Sequence, residues 1–325
     1  MTKKKSRGNI QLGTIAALII MCVILSFANK NFYSYNNIMG ILKQTAFNAF
    51  LATGMLMCLI TAGIDLSVGA NAVFCACVMG AMNKAGVTSG ALMLLACIAV
   101  GGLVGCINGL LLTRLHLPHP FVSTLGMKNV LWGLSLIVTN SQMVNNFPVS
   151  VQWLGKNTIN GFPVSFILVI VLYVLMHIFL SRTSLGRSIY CVGGNLEATR
   201  LSGINTGNVL TFSYTMSGVM AALAGIVSVG RSGICNGANA TQPYDTDAIA
   251  ACIIGGASFN GGKGTMVGTM IGCLIISVLR NGFTLLSINS AIQNVVLGLV
   301  IILAVFMDVA RASMEAKRRR LAADK

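Results

Sequence analysis

Stretches of about twenty apolar residues, repeated along the chain with short polar breaks, constrain this sequence more than any other feature. A helix that crosses a bilayer needs about 20 consecutive apolar residues. Such stretches are read at 10–28, 45–63, 68–83, 90–113, 121–140, 164–181, 209–229, 265–279 and 291–309, with a shorter one at 248–258. Only 9% of the 325 residues are charged, against about 25% in soluble domains. A soluble fold would leave most of the apolar faces uncovered, and disorder is excluded by the same abundance of aliphatic side chains. The expectation is an all-α polytopic membrane protein of about ten transmembrane helices. The first segment follows a basic start, but Ser26-Phe27-Ala28 runs into Asn29-Lys30-Asn31 without a convincing cleavage site, so it reads as a retained span.

The net charge of +15 needs placing before it is interpreted. Basic residues cluster at Lys3, Lys4, Lys5 and Arg7 and again at Lys317, Arg318, Arg319 and Arg320, and the rest stand singly between apolar runs. That is the distribution of cytoplasmic anchors and not the stripe of a nucleic-acid-binding surface. With ten spans and the N-terminus inside, 15 of the 22 basic residues fall inside. Lys30, Lys43, Lys84, Lys156, Arg231 and Arg280 fall outside, and Lys128 is left within a span. The bias predicts N-in and C-in. It divides the chain into a basic cytoplasmic N-terminus at 1–9, one transmembrane domain at 10–309 with its longest cytoplasmic loop at 182–208, and a basic cytoplasmic C-terminus at 310–325.

Little in the sequence points to catalysis. The ten cysteines show no C-x-x-C spacing and lie mostly in apolar stretches, as small buried hydrophobes do. His116 and His119 lack a third ligand nearby, so no metal site is expected. The glycine-rich run from Gly255 to Thr265 is not a phosphate loop. Ala257 stands where that loop has its first Gly, and Gly264 follows Lys263 where it has Ser or Thr. A tight cytoplasmic turn is expected there. Of the seven acidic residues, none is expected in the middle of a span. Asp65, Asp245 and Asp247 read as helix caps or outer-face groups, and the lack of mid-membrane carboxylates argues against an ion-coupled carrier. Small-residue spacing at Gly101, Gly102, Gly105 and Gly109, and at Gly264, Gly268 and Gly272, reads as close helix packing. A faint likeness links Asp65 followed by Asn108-Gly109 to Asp247 followed by Asn281-Gly282.

Within the 182–208 loop, Asn195 is placed to cap a short helix, with Glu197 near its positive end and Gly203 just past its C-terminus. Ala198 and Leu201, three apart, share one face, as on a docking element or a plain interfacial helix.

These segments carry a resemblance. Ala62-Gly63-Ile64-Asp65-Leu66-Ser67-Val68-Gly69, Phe121-Val122-Ser123-Thr124-Leu125-Gly126-Met127, Gly193-Gly194-Asn195 through Gly203-Ile204, and Asp247-Ala248-Ile249-Ala250 through Gly261-Gly262-Lys263-Gly264 resemble the ribose-type permease subunits of bacterial ABC sugar importers. Those share a family with branched-chain amino-acid permeases, and within it the sequence looks most like sugar permeases such as the ribose and allose importers. The resemblance implies a type II importer bundle in the bacterial inner membrane, surrounded by lipid, with no catalytic residue, metal or cofactor of its own. ATP and Mg would be bound by a cytoplasmic ABC ATPase, a second permease subunit would complete a homodimeric pathway, and a periplasmic sugar-binding protein would deliver the cargo. It implies that Arg187, Gly193, Gly194, Asn195, Glu197, Ala198, Arg200 and Gly203 contact the ATPase. Asp65, Ser67, Asn108, Phe121, Thr124 and Asp247 are the candidate pathway or gating residues. The expected activity is translocation of a monosaccharide by alternating access. The alternatives are an amino-acid permease of the same family and an ion-coupled carrier.

Overall fold

Thirteen α-helices, one short 3-10 helix at Gly237–Thr241 and one two-stranded hairpin are the regular elements among the described residues. The computed structural model describes residues 2–115, 117 and 119–323, the side chains of 2–11, 311, 312 and 315–323 excepted. His116 and the basic clusters at both ends therefore lie outside the described side chains.

The long helices are α1 (Thr2–Ala28), α2 (Tyr35–Ile60), α4 (Gly90–Thr113), α5 (Pro120–Thr139), α7 (Val164–Arg182), α10 (Thr206–Ser232), α12 (Met266–Leu285) and α13 (Ser290–Ala323). Between them lie α3 (Val68–Lys84), α6 (Val149–Lys156), α8 (Ser184–Gly194), α9 (Leu196–Leu201) and α11 (Tyr244–Ile254). Strands β1 (Thr158–Ile159) and β2 (Phe162–Pro163) pair antiparallel across Asn160 and Gly161, both at positive φ, as a two-residue hairpin turn requires.

Every expected segment falls on a helix, but several boundaries move. α2 begins ten residues before the expected position, at Tyr35, because Ser34 caps it by accepting the Asn37 N–H. α12 continues beyond Leu279 through Arg280 and Asn281, whose polar groups find partners inside the protein. α1 and α13 run without interruption through the boundaries expected near residues 9 and 310. Helices α6 and α8 and the hairpin were not expected.

α4, α5, α7, α10, α12 and Ser290–Ala310 of α13 are long and apolar enough to cross a membrane. α11 is not. Its 11 residues rise about 17 Å, roughly half of a hydrocarbon core about 30 Å thick. The 248–258 stretch is thus a half-length helix followed by a turn.

α2 and α10 form the centre. Every residue of α2 from Asn48 to Ile60 is buried, as expected of a helix apolar all round. Its core mates come from α7, α8, α10, α11, α12 and α13. A second core joins α3, α4 and the far half of α10. α4 lies directly on α10 through its glycine stripe: a Cβ at Gly105 would collide with the Tyr214 carbonyl, and one at Gly101 with Gly218 and Ala222. Gly268 and Gly272 lie equally close to Gly255 and Ala251, whereas Gly264, in the turn before α12, faces Leu56 and Ile60 instead, so the first expected small-residue interface is present and the second begins only at Gly268.

The chain crosses back and forth between two ends. At one end lie α8, α9, the close of α2 and the glycine-rich turn between α11 and α12. The turn is tied to α13 by Asp308, which accepts from Ser258 Oγ at 3.0 Å and from the Phe259 N–H at 3.3 Å. At the other end lie the hairpin, residues 233–243 and the junction where Asn29 donates to the Leu285 carbonyl.

Candidate functional site

Two candidate regions lie one at each end of the bundle, and a buried carboxylate lies between them.

At the first end, Asn195 Oδ1 accepts the Ala198 N–H at 2.9 Å, capping α9 as the sequence predicts. Gly203, at φ +81°, follows Ser202 at the other end of α9. Glu197 and Arg200 pair across one turn at 2.9 Å, and both side chains are two-thirds exposed. Ala198 is exposed, and Leu196 and Leu201 point outward at 44% and 83% exposure. α8 buries Gly186, Ile189, Val192 and Gly193, while Arg187 stays exposed and donates to the Arg182 carbonyl at 3.0 Å. Gly193 lies against the Ile60 carbonyl, with no room for a Cβ. The Gly262 N–H donates to that carbonyl at 2.8 Å, and Tyr190 Oη donates to the Gly264 carbonyl at 2.9 Å. The exposed α9 is thus anchored, through α8, to the end of α2 and to the glycine-rich turn.

Asp65 lies deeper. Its carboxylate accepts from Ser67 Oγ at 2.6 Å, from the Ser67 N–H at 3.0 Å and from Ser217 Oγ of α10 at 2.7 Å. Asn108 of α4 donates to Ser67 Oγ at 2.8 Å. Thr124 Oγ1 and Tyr214 Oη donate to the Ile64 carbonyl at 3.3 and 3.4 Å. Asp65, Ser67, Asn108 and Thr124, expected as pathway residues, therefore form one buried cluster. Phe121 does not join it and is half exposed on the first turn of α5.

At the second end, a cavity of about 320 Å³ opens between α2, α3, α10 and the start of α11, within the range of small-molecule sites. Gln44, Asn48, Asn236, Asn239 and Gln242 bring side-chain amides to its wall, and Arg231, Tyr244, Asp247 and Arg280 bring ionisable or phenolic groups. Phe47 and Tyr244 meet edge to face at 4.9 Å. Amides offer both donors and acceptors, and aromatic rings offer apolar faces, a combination suited to a polyhydroxylated ligand. Asp247 belongs to this cavity and not to the Asp65 cluster.

The expected roles of the acidic residues need correction. Asp65, Asp245 and Asp247 are all buried, at 2–3% exposure. Asp245 pairs with Lys128 at 2.9 Å, at the middle of α5, and Asp247 receives two hydrogen bonds from Arg280, both 2.7 Å. Pro243, not a side-chain cap, precedes α11. The reason is that α11 and the 61–67 segment begin inside the bundle, so residues flanking an apolar run are not thereby at the membrane surface. Lys128, left alone within a span by the sequence, is the partner of Asp245. The likeness between the two halves does not extend to their contacts: Asp65 reaches Asn108 through Ser67, whereas Asp247 pairs with Arg280 and Asn281 pairs with Asn37.

Sequence reasoning did not pick out Gln44, Asn48, Arg231, Asn236, Asn239, Gln242, Tyr244 or Arg280. Signals existed: Gln44 and Asn48 are one turn apart on an apolar helix, and Asn236, Asn239 and Gln242 recur every third residue. All ten cysteines are free thiols, with only Cys191 exposed. Among the described residues no cluster of three or more His, Cys, Asp or Glu is present.

The profile of the family described as branched-chain amino acid transport system permease component matches residues 37–305. The chain is 37% identical over 300 residues to the ribose import permease protein of Escherichia coli K12, covering 91% of this chain and 92% of that protein. It is likewise 37% identical over 300 residues to the ribose import permease protein of Bacillus subtilis strain 168, covering 92% of each. The D-allose transport system permease protein of E. coli K12 is 35% identical over 290 residues, covering 89% of this chain and 88% of that one. No solved structure matches the chain significantly.

Proposed function

We infer the activity from one premise: the chain belongs to the family of branched-chain amino acid transport system permease components. It is a permease subunit of an ABC importer, a transport component and not an enzyme, and it resides in the bacterial inner membrane. Its cargo is a monosaccharide. The observation that carries this reading is near-full-length similarity to ribose import permeases of two distant bacteria, with allose and galactose permeases also among its relatives. The ATP dependence rests on that membership. It no longer rests on an absence of buried carboxylates, since three are present.

In this reading ten segments enter the membrane region, with both termini and the α8–α9 loop in the cytoplasm. Two copies of the chain form the pathway. A cytoplasmic ATPase that binds ATP and Mg docks on α9, where Leu196, Ala198 and Leu201 supply an apolar contact and Glu197 and Arg200 its charged rim. A periplasmic binding protein delivers the sugar at the opposite end, where the amide-lined cavity receives it. Alternating access then moves the cargo through the bundle without a covalent step. The amides and the Phe47–Tyr244 pair favour a sugar over the apolar side chain of a branched-chain amino acid. Reconstitution with the partner ATPase and binding protein in proteoliposomes tests the reading. ATP-dependent uptake of labelled ribose, allose or galactose that survives a proton uncoupler is expected. Uptake only of branched-chain amino acids, or uptake abolished by the uncoupler alone, overturns it.

A further inference from the structure

Eight residues of the chain connect the ATPase-facing end to the interior of the bundle. The Ile60 carbonyl touches Gly193 of α8 and accepts from Gly262 of the glycine-rich turn. Ala62 takes a left-handed conformation at φ +61°, costly for a residue with a Cβ, and it packs against Gly261. Two residues on, the partners change completely. The Ile64 carbonyl receives Tyr214 of α10 and Thr124 of α5, and Asp65 receives Ser217 of α10 and, through Ser67, Asn108 of α4. α3 begins at Val68, and its residues Ala72, Val73 and Ala76 form one wall of the cavity. Coupling between distant sites needs a contiguous element that both sites bias. Here one short segment contacts the α8 anchorage at its start and continues into the cavity wall at its end.

We propose that residues 60–67 are the joint that transmits the state of the α8–α9 face to α3 and the cavity, with Asp65 as the positioning residue that keeps the joint in register with α4 and α10. This rests on the importer reading given above. A buried carboxylate held only by hydroxyls and one backbone N–H is suited to the task. Those partners hold it through short hydrogen bonds without a fixed counter-ion: Ser217 belongs to α10, and Ser67, in the joint itself, passes the contact on to Asn108 of α4, so a shift of the joint is felt by both helices.

The test uses the complete transporter in proteoliposomes, with sugar uptake and ATP hydrolysis measured in the same preparation. The variants are Asp65→Asn, Ser217→Ala and Ser217→Thr. Wild type must show ATP-driven uptake; if it does not, the importer reading itself has failed. Asp65→Asn and Ser217→Ala are expected to co-purify with the ATPase and to lower the sugar moved per ATP hydrolysed at least about fivefold. Ser217→Thr, which keeps the hydroxyl, is expected to restore most of that ratio. Should Asp65→Asn fail to assemble, the Ser217 pair decides alone. An unchanged sugar-to-ATP ratio in the assembled variants, or an equal fall in Ser217→Ala and Ser217→Thr, overturns the proposal.

Discussion

Arg280 of α12 and Asp247 of α11 form a two-point ion pair: Nε donates to one carboxylate oxygen and Nη2 to the other, both at 2.7 Å. The Asp247 side chain is only 5% exposed and that of Arg280 20%, and both line the cavity. Removing one member of such a pair leaves an uncompensated charge, at a cost of about 3 kcal/mol or more.

Arg280→Ala is therefore expected to lower the midpoint of thermal unfolding in detergent markedly, and Asp247→Ala to do the same. The double variant should be more stable than either single one, because it buries no lone charge. A double-mutant cycle in the detergent-solubilised protein measures this, and strictly additive losses would show that the pair is not coupled.

The contact between α4 and α10 leaves no space for side chains at Gly105. Alanine is favoured over glycine in a helix by about 1 kcal/mol, yet Gly105→Ala is expected to reduce the yield of monodisperse protein several-fold, since its Cβ meets the Tyr214 carbonyl. Gly102→Ala, one turn-face away, meets only Val219 Cγ2 at 3.2 Å and should be tolerated. Size-exclusion profiles of the two variants make the comparison.

At α9 the expected effect is on coupling and not on stability. The Glu197–Arg200 pair is solvent-exposed, and pairs of that kind contribute no more than about 1 kcal/mol. Glu197→Lys or Arg200→Glu should leave membrane insertion and thermal stability near wild type while uncoupling sugar uptake from ATP hydrolysis. Unchanged uptake in both would remove α9 from the ATPase interface.

Cys191 offers a direct check on orientation. It is the exposed thiol of α8, whereas Cys22 and Cys106 are half-buried and the other seven are buried. A membrane-impermeant maleimide is expected to label Cys191 in inside-out vesicles and not in right-side-out vesicles, with Cys191→Ser as the blank. Labelling from the periplasmic side would reverse the topology.

In the cavity, Asn239→Ala and Gln242→Ala each remove an amide from the wall. Loss of one hydrogen bond is worth about 1 kcal/mol, so the sugar concentration for half-maximal uptake should rise roughly fivefold in each. Concentration curves for uptake report it directly.

The long helices and the loop capped by Asn195 and Gly203 were legible because they are written locally, in apolar runs and in cap residues a few positions apart. The small-residue stripes on α4 and α12 were legible for the same reason. The ion pairs were not, since Lys128 and Asp245 lie 117 positions apart and Asp247 and Arg280 lie 33 apart. A lysine in mid-span implies a buried counter-charge, but nothing in its own helix says which. The cavity was missed because its wall is assembled from amides on α2 and on the irregular segment before α11, each unremarkable alone. The half-length of α11 was not legible because apolarity reports burial, and burial within protein looks the same as burial in lipid.

The half-length of α11 bears on how the chain is made. A segment rising about 17 Å with two carboxylates in its first turn cannot enter the bilayer by itself as it leaves the ribosome. Lys128 has already been synthesised by then, but Arg280 has not. Asp247 has its partner only once α12 has been made, so α11 and α12 are expected to enter the membrane together. A chain cut between Ile254 and Arg280 would carry Asp247 without its guanidinium.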